Sequence, residues 1–103
     1  MSSLELTSRQ RSRLRAQAHS LKPVVLVGEA GLSDGVTRAI DQALLDHELI
    51  KVQMRQPDDK KGLARAIAEA TSSALCGLIG HTLILYRPHP EKPRIKLDEP
   101  SAP

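Results

Sequence analysis

The stretch Pro23-Val24-Val25-Leu26-Val27-Gly28-Glu29-Ala30-Gly31 decides how this chain folds. Its first five residues form a wholly apolar run bounded by proline and glycine, which is typical of a strand buried on both faces. The four residues that follow predict a turn. A helix should begin directly afterwards, near Ser33 or Asp34, because these residue types cap helix N-termini. A strand, a turn and a helix in succession indicate an α/β fold.

The segments on either side of this unit extend the pattern. Upstream, a helix should start near Thr7 or Ser8 and stop at Lys22–Pro23, with Leu14, Ala18 and Leu21 on its buried face. Downstream, residues 49–54 alternate between apolar and polar side chains, which predicts a strand with one dry face. Its wet face carries Lys51, Gln53 and Arg55.

The second half of the chain predicts one more helix and two more strands. Asp58 or Asp59 can cap the helix, whose apolar stripe consists of Leu63, Ile67, Ala70 and Ala74 and which should end near Gly77. A short strand at Leu78-Ile79, a turn at Gly80-His81 and a last strand over 82–87 follow. The predicted order is α-β-α-β-α-β-β, an α/β fold with a four-stranded mixed sheet and packed helices.

The chain should form one domain over residues 1–90, followed by a Pro-rich tail. We expect the tail, residues 91–103, to be extended or disordered, although Ile95-Lys96-Leu97 could add an edge strand. A length of 103 residues suits one domain. The N-terminus lacks an apolar signal core, and no apolar run approaches the roughly 20 residues that span a bilayer. These features predict a soluble, cytoplasmic protein without a membrane partner.

The composition narrows the possible ways of binding nucleic acid. Phe and Trp are absent and Tyr86 is the single aromatic residue, so the core must be aliphatic. A stacking surface like that of an RRM needs two or three aromatics, so this mode of RNA binding is nearly excluded. We expect recognition of backbone and shape more than of base sequence.

Basic residues concentrate near the N-terminus. Arg9 and Arg13 should lie nearly opposite the buried face of the first helix, with Arg11 and Arg15 flanking it and Lys22 just beyond. Such a patch suits phosphate. Two alternatives remain: a merely solvated helix face, or a protein-interaction adaptor that uses the basic helix to contact an acidic partner.

The glycines at positions 28 and 31 form a G-x-x-G loop. The loop does not match the G-x-G-x-x-G fingerprint of dinucleotide sites, and no Gly-Lys-Ser/Thr follows at the P-loop spacing. It is similar to the loop of KH domains, where glycines let the backbone approach the nucleic acid closely. The alternative is an ordinary strand-to-helix turn.

No residues assemble into a catalytic or metal-binding motif. The four histidines show no H-x-x-x-H or H-E-x-x-H spacing, and Cys76 has no C-x-x-C partner. Cys76 is predicted to be a buried structural thiol at the end of an apolar helix. The sequence therefore predicts a protein that is not an enzyme and that needs neither a metal nor a cofactor.

Three ordered blocks resemble the CRM domain, named for chloroplast RNA splicing and ribosome maturation. They are residues 19–32, residues 46–52 and residues 79–88, and the resemblance covers roughly residues 5 to 90 as in stand-alone bacterial members. It implies a fold like the C-terminal domain of translation initiation factor three. It also implies RNA as the partner, in particular ribosomal RNA or precursors of the large ribosomal subunit, and no DNA.

The resemblance assigns RNA binding to the loop and the basic surface beside it. The candidate residues are Arg9, Arg11, Arg13, Arg15, Lys22, Gly28, Glu29, Ala30, Gly31 and Lys51. Glu29 departs from the family pattern, which often has a basic or neutral polar residue between the glycines. A carboxylate about 4 Å from phosphate in water costs roughly 1 kcal/mol. Either Glu29 points away from the RNA, or the loop contributes less to binding than the arginine helix does.

Overall fold

The computed structural model describes residues 6–95, and this part of the chain contains three helices and four strands in the order that the sequence predicts. The helices are α1 (Ser8–Ala18), α2 (Asp34–His47) and α3 (Lys60–Ala70). The strands are β1 (Pro23–Val27), β2 (Leu49–Met54), β3 (Ala74–Ile79) and β4 (Thr82–Tyr86). No helix within residues 6–95 is both long and apolar enough to cross a bilayer.

Local capping fixes where each helix begins. Thr7 accepts a hydrogen bond from the backbone of Gln10, whose side chain in turn accepts one from Thr7 N–H, so α1 starts with a capping box. Ser33 caps α2 through Val36 N–H, and Asp59 caps α3 through Gly62 N–H. These contacts confirm the starts predicted for all three helices.

The four strands form one mixed sheet in the order β1-β2-β4-β3. β1 runs parallel to β2, with Val27 opposite Met54, while β2–β4 and β4–β3 are antiparallel. The parallel pair brings the carboxyl ends of β1 and β2 to the same end of the sheet. Because β3 and β4 are joined by a two-residue hairpin at that end, the loop after β1, the loop after β2 and the hairpin meet there.

Helices cover both faces of the sheet and create two cores. α2 and α3 cover one face over the alternating inward residues of β2 and β4, including Ile50, Val52 and Leu83. α1 covers the other face, where Leu14 and Ala18 pack on a second cluster that contains Ile84 and Tyr86. The alternation predicted for β2 is confirmed, since Ile50, Val52 and Met54 are buried and Gln53 is exposed.

The boundary between the third helix and the third strand differs from the prediction. α3 ends at Ala70, and β3 already begins at Ala74, so a helix reaching Gly77 is wrong. Thr71 closes the helix through its hydroxyl bond to the Ile67 carbonyl, and Ser72 turns the chain with a positive φ of 53°. Helical spacing of Ala70 and Ala74 could not reveal this stop. Cys76 consequently lies in β3 rather than at a helix end, although its predicted burial is confirmed.

Two predictions at the start of the sheet also need correction. β1 is an edge strand, so only its α2-facing side is covered, and Val24 and Leu26 remain 49% and 53% exposed. The prediction that this strand is buried on both faces is therefore wrong. α1 ends at Ala18 instead of continuing to Lys22, which leaves Leu21 38% exposed rather than on the buried face.

The segment after β4 is fastened to the domain by one buried carboxylate. Glu48 is fully buried at the end of α2 and has a positive φ of 66°. It accepts hydrogen bonds from the backbone N–H groups of His89 at 2.7 Å, Arg94 at 3.0 Å and Ile95 at 2.8 Å. Residues 91–95 of the predicted tail have no helix or strand but are held here, and the possible edge strand extends beyond the described residues.

Candidate nucleic-acid interface

The arginines of α1 differ in how they are engaged. Arg9 and Arg13 are exposed on the side of α1 that faces away from the sheet. Arg11 is half-buried and donates to the Leu6 carbonyl at 2.9 Å, and Arg15 donates to the Cys76 carbonyl at 2.8 Å. Because α1 contains no acidic residue and these two acceptors are uncharged carbonyls, the helix keeps a concentrated positive charge.

The stem of Arg15 packs closely against β3. A Cβ placed on Gly77 would lie only 2.7 Å from Arg15 Cδ, so the absence of a side chain at this position makes room for the arginine. The sheet pairing shifts between Leu75 and Gly77 at this point. Arg15 is therefore a structural contact of α1 as well as a candidate binding residue.

The two predicted lysines lie at different places. Lys51 is in the middle of β2, on the α1 side, and donates to the His19 carbonyl at 3.1 Å. Lys22 is exposed just before β1. Because the intervening strand is extended at about 3.3 Å per residue, Lys22 is roughly 20 Å from Gly28. The structure thus does not bring Lys22 to the G-x-x-G loop.

The G-x-x-G loop is a tight turn with open space in front of it. Gly31 N–H donates to the Gly28 carbonyl at 3.0 Å, and Gly31 has a φ of +78° that favours glycine. Gly28 has no positive φ, and a Cβ there would meet nothing within 4 Å. The fold therefore requires glycine at position 31 but not at position 28. Glu29 and Ala30 are exposed at the tip.

The loop after β2 lies beside the glycine loop. Arg55 N–H donates to the Val27 carbonyl at 2.9 Å, which joins the ends of the two parallel strands. A depression of about 290 Å³ opens between the loops and is lined by Gly28, Glu29, Gly31, Arg55, Gln56, Pro57, Asp58 and Leu63. Gln56 has a φ of +36° immediately before Pro57, a position where extended backbone is usual. Such unfavourable geometry is most common at functional sites.

One row of residues across the sheet is left open on the α1 side. Strand register places Leu26, Gln53, Thr82 and Ile79 side by side, and we call this row the sheet ledge. Leu26 and Ile79 at its two ends are 53% and 64% exposed. Since rows of same-facing residues are about 7 Å apart, the ledge lies one row beyond the Lys51–Ile84 pair under α1.

A second depression opens where the sheet ledge meets the loops. It has a volume of about 570 Å³ and is lined by Leu26, Glu29, Gln53, Met54, Arg55, Gln56 and His81. We call it the ledge pocket. The ledge pocket and the depression between the loops share Glu29, Arg55 and Gln56, so they are neighbours at the same end of the sheet.

Gln53, Arg55 and His81 line this end of the sheet but are not among the site residues predicted from the sequence. Gln53 and Arg55 share the wet face of β2 with Lys51, which was selected, so the period-2 pattern could have identified them. His81 lies in the hairpin turn, and nothing in its local sequence indicates that the sheet brings it to the G-x-x-G loop. That proximity arises from strand order, because β4 pairs with β2.

A groove at the opposite end of the sheet has a more apolar lining than the two depressions beside the G-x-x-G loop. It has a volume of about 440 Å³ and is lined by Gln17, Leu21, Lys22, Val24, His47, Leu49, Ile50 and Ile95. This groove is therefore remote from the G-x-x-G loop, and Ile95, the last residue that the structure describes, forms part of its wall.

Burial makes the thiol of Cys76 a poor nucleophile. Burial raises the pKa of the Cys76 thiol to about 11, although Arg11 and Arg15 act in the opposite direction. Cys76 is thus a thiol at neutral pH rather than a nucleophilic thiolate. Nowhere in residues 6–95 do three or more His, Cys, Asp or Glu side chains gather in a way that could hold a metal ion. Tyr86, the single aromatic side chain, is buried.

Comparison with protein families identifies the domain type. The family model described as the CRS1 / YhbY (CRM) domain matches residues 6–87. This range contains all four strands, all three helices and both depressions beside the G-x-x-G loop.

Curated proteins and a solved structure are similar over nearly the same range. An "RNA-binding protein" of Haemophilus influenzae is 43% identical over 88 residues, covering 84% of this chain and 89% of its own. The "Probable RNA-binding protein YqeI" of Bacillus subtilis is 38% identical over 94 residues, covering 89% and 98%. The solution structure of "the hypothetical protein SAV1595 from Staphylococcus aureus, a putative RNA binding protein" superposes with a TM-score of 0.80 at 38% identity, covering 91% of this chain and all of the other.

Proposed function

Because the chain belongs to the CRS1 / YhbY (CRM) domain family, we propose that it is a non-enzymatic RNA-binding protein that contacts RNA with α1 and with the G-x-x-G loop. Its relatives in Haemophilus influenzae and Bacillus subtilis are named as RNA-binding proteins, which supports RNA as the partner.

The concentration of arginines on α1 carries this proposal. Four arginines lie within eleven residues, without an acidic residue in the helix, and two of them are fixed by bonds to carbonyls. Phosphate is the ligand that such a surface attracts most strongly, because binding releases the counterions condensed on the nucleic acid. The open space in front of Gly28 lets a backbone approach the loop as well.

We also propose that the physiological RNA belongs to precursors of the large ribosomal subunit, where the protein acts in the cytoplasm as an assembly factor. The support is the resemblance of the three sequence blocks to the CRM domain. Sedimentation of a cell extract on a sucrose gradient tests it. The protein should co-migrate with large-subunit precursors and shift to the top of the gradient after nuclease treatment. Recovery in nuclease-resistant protein complexes would instead favour the adaptor function.

Replacement of two exposed arginines tests the RNA-binding surface. The double variant Arg9→Gln/Arg13→Gln should keep the parent's melting temperature, because both side chains point away from the sheet. Its affinity for an RNA hairpin, measured by fluorescence anisotropy, should fall. The negative slope of log K against log salt should become shallower by about two.

A matched control uses two exposed arginines on the opposite side of the sheet. Arg38 on α2 and Arg65 on α3 are exposed and outside the proposed surface. The variant Arg38→Gln/Arg65→Gln removes the same net charge. Equal losses in the two double variants would mean that only overall charge matters and would contradict binding by α1.

A further inference from the structure

We infer that the ledge pocket receives one unpaired nucleobase of the bound RNA. The inference rests on the proposed function, since it concerns the same end of the sheet as the G-x-x-G loop. The RNA that the protein selects is then helical RNA interrupted by an unpaired nucleotide.

The polar side chains of the ledge pocket are available for a ligand. Within residues 6–95, the side chains of Gln53, Arg55, Gln56 and His81 form no hydrogen bond or ion pair, yet all four line this one depression. The volume of about 570 Å³ lies within the roughly 300–1,000 Å³ typical of small-molecule sites. Polar groups in such sites fix the orientation of the ligand, and four side chains without a partner in the described residues are available for that role here.

The chemistry of the walls suits a base better than a phosphate. Glu29 and Arg55 carry opposite charges and both line the pocket, so the pocket lacks the positive excess found on α1. Two amide side chains, Gln53 and Gln56, offer both donors and acceptors to the edge of a base. Leu26 adds an apolar surface, and it is 53% exposed without a ligand.

Two planar groups replace the missing aromatic residues. Unpaired RNA bases stack on histidine rings and on arginine guanidinium planes as well as on Phe, Tyr and Trp. His81 and Arg55 both line the ledge pocket, whereas Tyr86 is buried under α1. Base contact is thus feasible here despite a composition that argues against an RRM-like surface.

Hydrogen bonds from neighbouring elements fix the backbone of the turn that carries His81. Met54 N–H donates to the His81 carbonyl at 2.8 Å, and Lys60 Nζ donates to the Gly80 carbonyl at 3.0 Å. Gly80 has a φ of +60°, which this tight two-residue hairpin turn requires. Both hairpin residues are therefore anchored to neighbouring elements, and less conformational entropy is lost when a base binds.

The position of the pocket connects the two proposed phosphate contacts. The sheet ledge lies between the α1-covered rows and the G-x-x-G loop, on the α1 side of the sheet. A nucleotide whose phosphates contact this surface can turn its base onto the ledge. Duplex RNA without an unpaired nucleotide has no base free to do so.

The test compares two RNA hairpins that differ by one bulged nucleotide in the stem and whose strands are joined by a non-nucleotide linker, so that the perfect hairpin offers no unpaired base. By fluorescence anisotropy at one salt concentration, the parent should bind the bulged hairpin at least about fivefold more tightly, the lower end of what one stacked base contributes. The double variant Gln53→Ala/His81→Ala should lose this preference. It should keep the parent's affinity for the perfect hairpin, its salt slope and its melting temperature.

The arginine variant of α1 separates the inference from the proposed function. Arg9→Gln/Arg13→Gln should weaken binding of both hairpins and preserve their affinity ratio. Equal binding of the two hairpins by the parent, or an unchanged ratio in Gln53→Ala/His81→Ala, would overturn the base-binding inference while RNA binding stands. Binding of neither hairpin would overturn both.

Discussion

At the scale of single residues, Glu48 shows how a buried charge organises its surroundings. Burial alone raises the pKa of its carboxyl, but the hydrogen bonds from the backbone of His89, Arg94 and Ile95, together with the charge of Arg94, bring the pKa below its ordinary value of 4.5. The carboxylate therefore remains ionised in the fold. Its partners are N–H groups that would otherwise lack an acceptor at this position.

Glu48 should make stability depend on pH in the acidic range. Because the folded-state pKa is lowered, its contribution is complete above about pH 4.5 and is lost as the pH falls through the folded-state value. Glu48→Gln places an amide donor among N–H groups and should cost about 1–3 kcal/mol at pH 7. Urea unfolding followed by circular dichroism should show this difference narrowing in acid.

The exposed Glu69 on α3 provides the control for this measurement. Glu69→Gln removes a carboxylate outside any described hydrogen bond and should follow the parent at every pH. A difference between Glu48→Gln and the parent that stays constant from pH 7 to pH 3 would show that the charge of Glu48 is not what matters.

At the scale of elements, the position of a strand in the sheet decides how much its side chains contribute. β4 is central, and its Ile84 is 1% exposed beneath α1. β1 is an edge strand, and its Val24 is 49% exposed on the same side. Both strands are apolar in sequence, so only their partners distinguish them.

Truncation of one residue in each strand should reveal this difference. Ile84→Ala removes a buried branched side chain and should lower the free energy of unfolding by about 2–5 kcal/mol. Val24→Ala should cost less than about 0.5 kcal/mol, as is usual for surface positions. Chemical denaturation measures both values. Similar costs in the two variants would contradict the arrangement of the strands.

The elements also show what the sequence could and could not predict. Capping residues and the period-2 pattern of β2 act locally, so Thr7, Ser33 and Asp59 and the dry face of β2 were predictable. The exposure of Leu26 depends on β1 being at the edge, which is set by pairing with β2 alone. The Arg15–Cys76 contact joins positions 61 residues apart, and no local pattern encodes it.

The candidate site likewise contains residues that the sequence could predict and residues that depend on the strand order. Arg9, Arg13 and the G-x-x-G loop were predictable because each is a short, contiguous signal. The ledge pocket combines β1, β2 and the β3–β4 hairpin, so it exists only once the strand order is known. His81 illustrates the point, since its neighbour Met54 is 27 residues away in the chain and one strand away in the sheet.

At the scale of the whole molecule, charge is distributed unevenly over the surface. The α1 side carries arginines without acidic neighbours in the helix, whereas Glu29, Asp58 and Asp59 offset the basic residues at the loop end. Affinity that depends on salt should therefore come mainly from α1, and the loop end should contribute contacts that salt affects less.

A change of sign at the loop tip tests this distribution. Glu29→Lys alters the local charge by two units at an exposed position, so the melting temperature should stay nearly the same. RNA binding should tighten several-fold at low salt, and the gain should shrink as salt screens the new attraction. Anisotropy titrations at two salt concentrations measure both effects.

Glu69→Lys makes the same change of charge on the exposed surface of α3, away from the loop. It should produce a much smaller gain. If the two lysine variants bind RNA equally well, or if Glu29→Lys binds no better than the parent, position 29 is not close to phosphate. The G-x-x-G loop would then serve only as a strand-to-helix turn.

The backbone hydrogen bonds that Glu48 accepts also determine when the protein can finish folding during its synthesis. Ile95 follows Glu48 by 47 residues, so at about 5–20 residues per second the ribosome adds this last donor roughly 2–9 s after the carboxylate itself. Early in that interval β3 and β4 have not yet been synthesised, and Glu48 must remain hydrated until its backbone donors follow. The domain therefore closes only when its C-terminal segment has been translated, and a nascent chain that stalls before Ile95 keeps an incompletely paired charge at the end of α2.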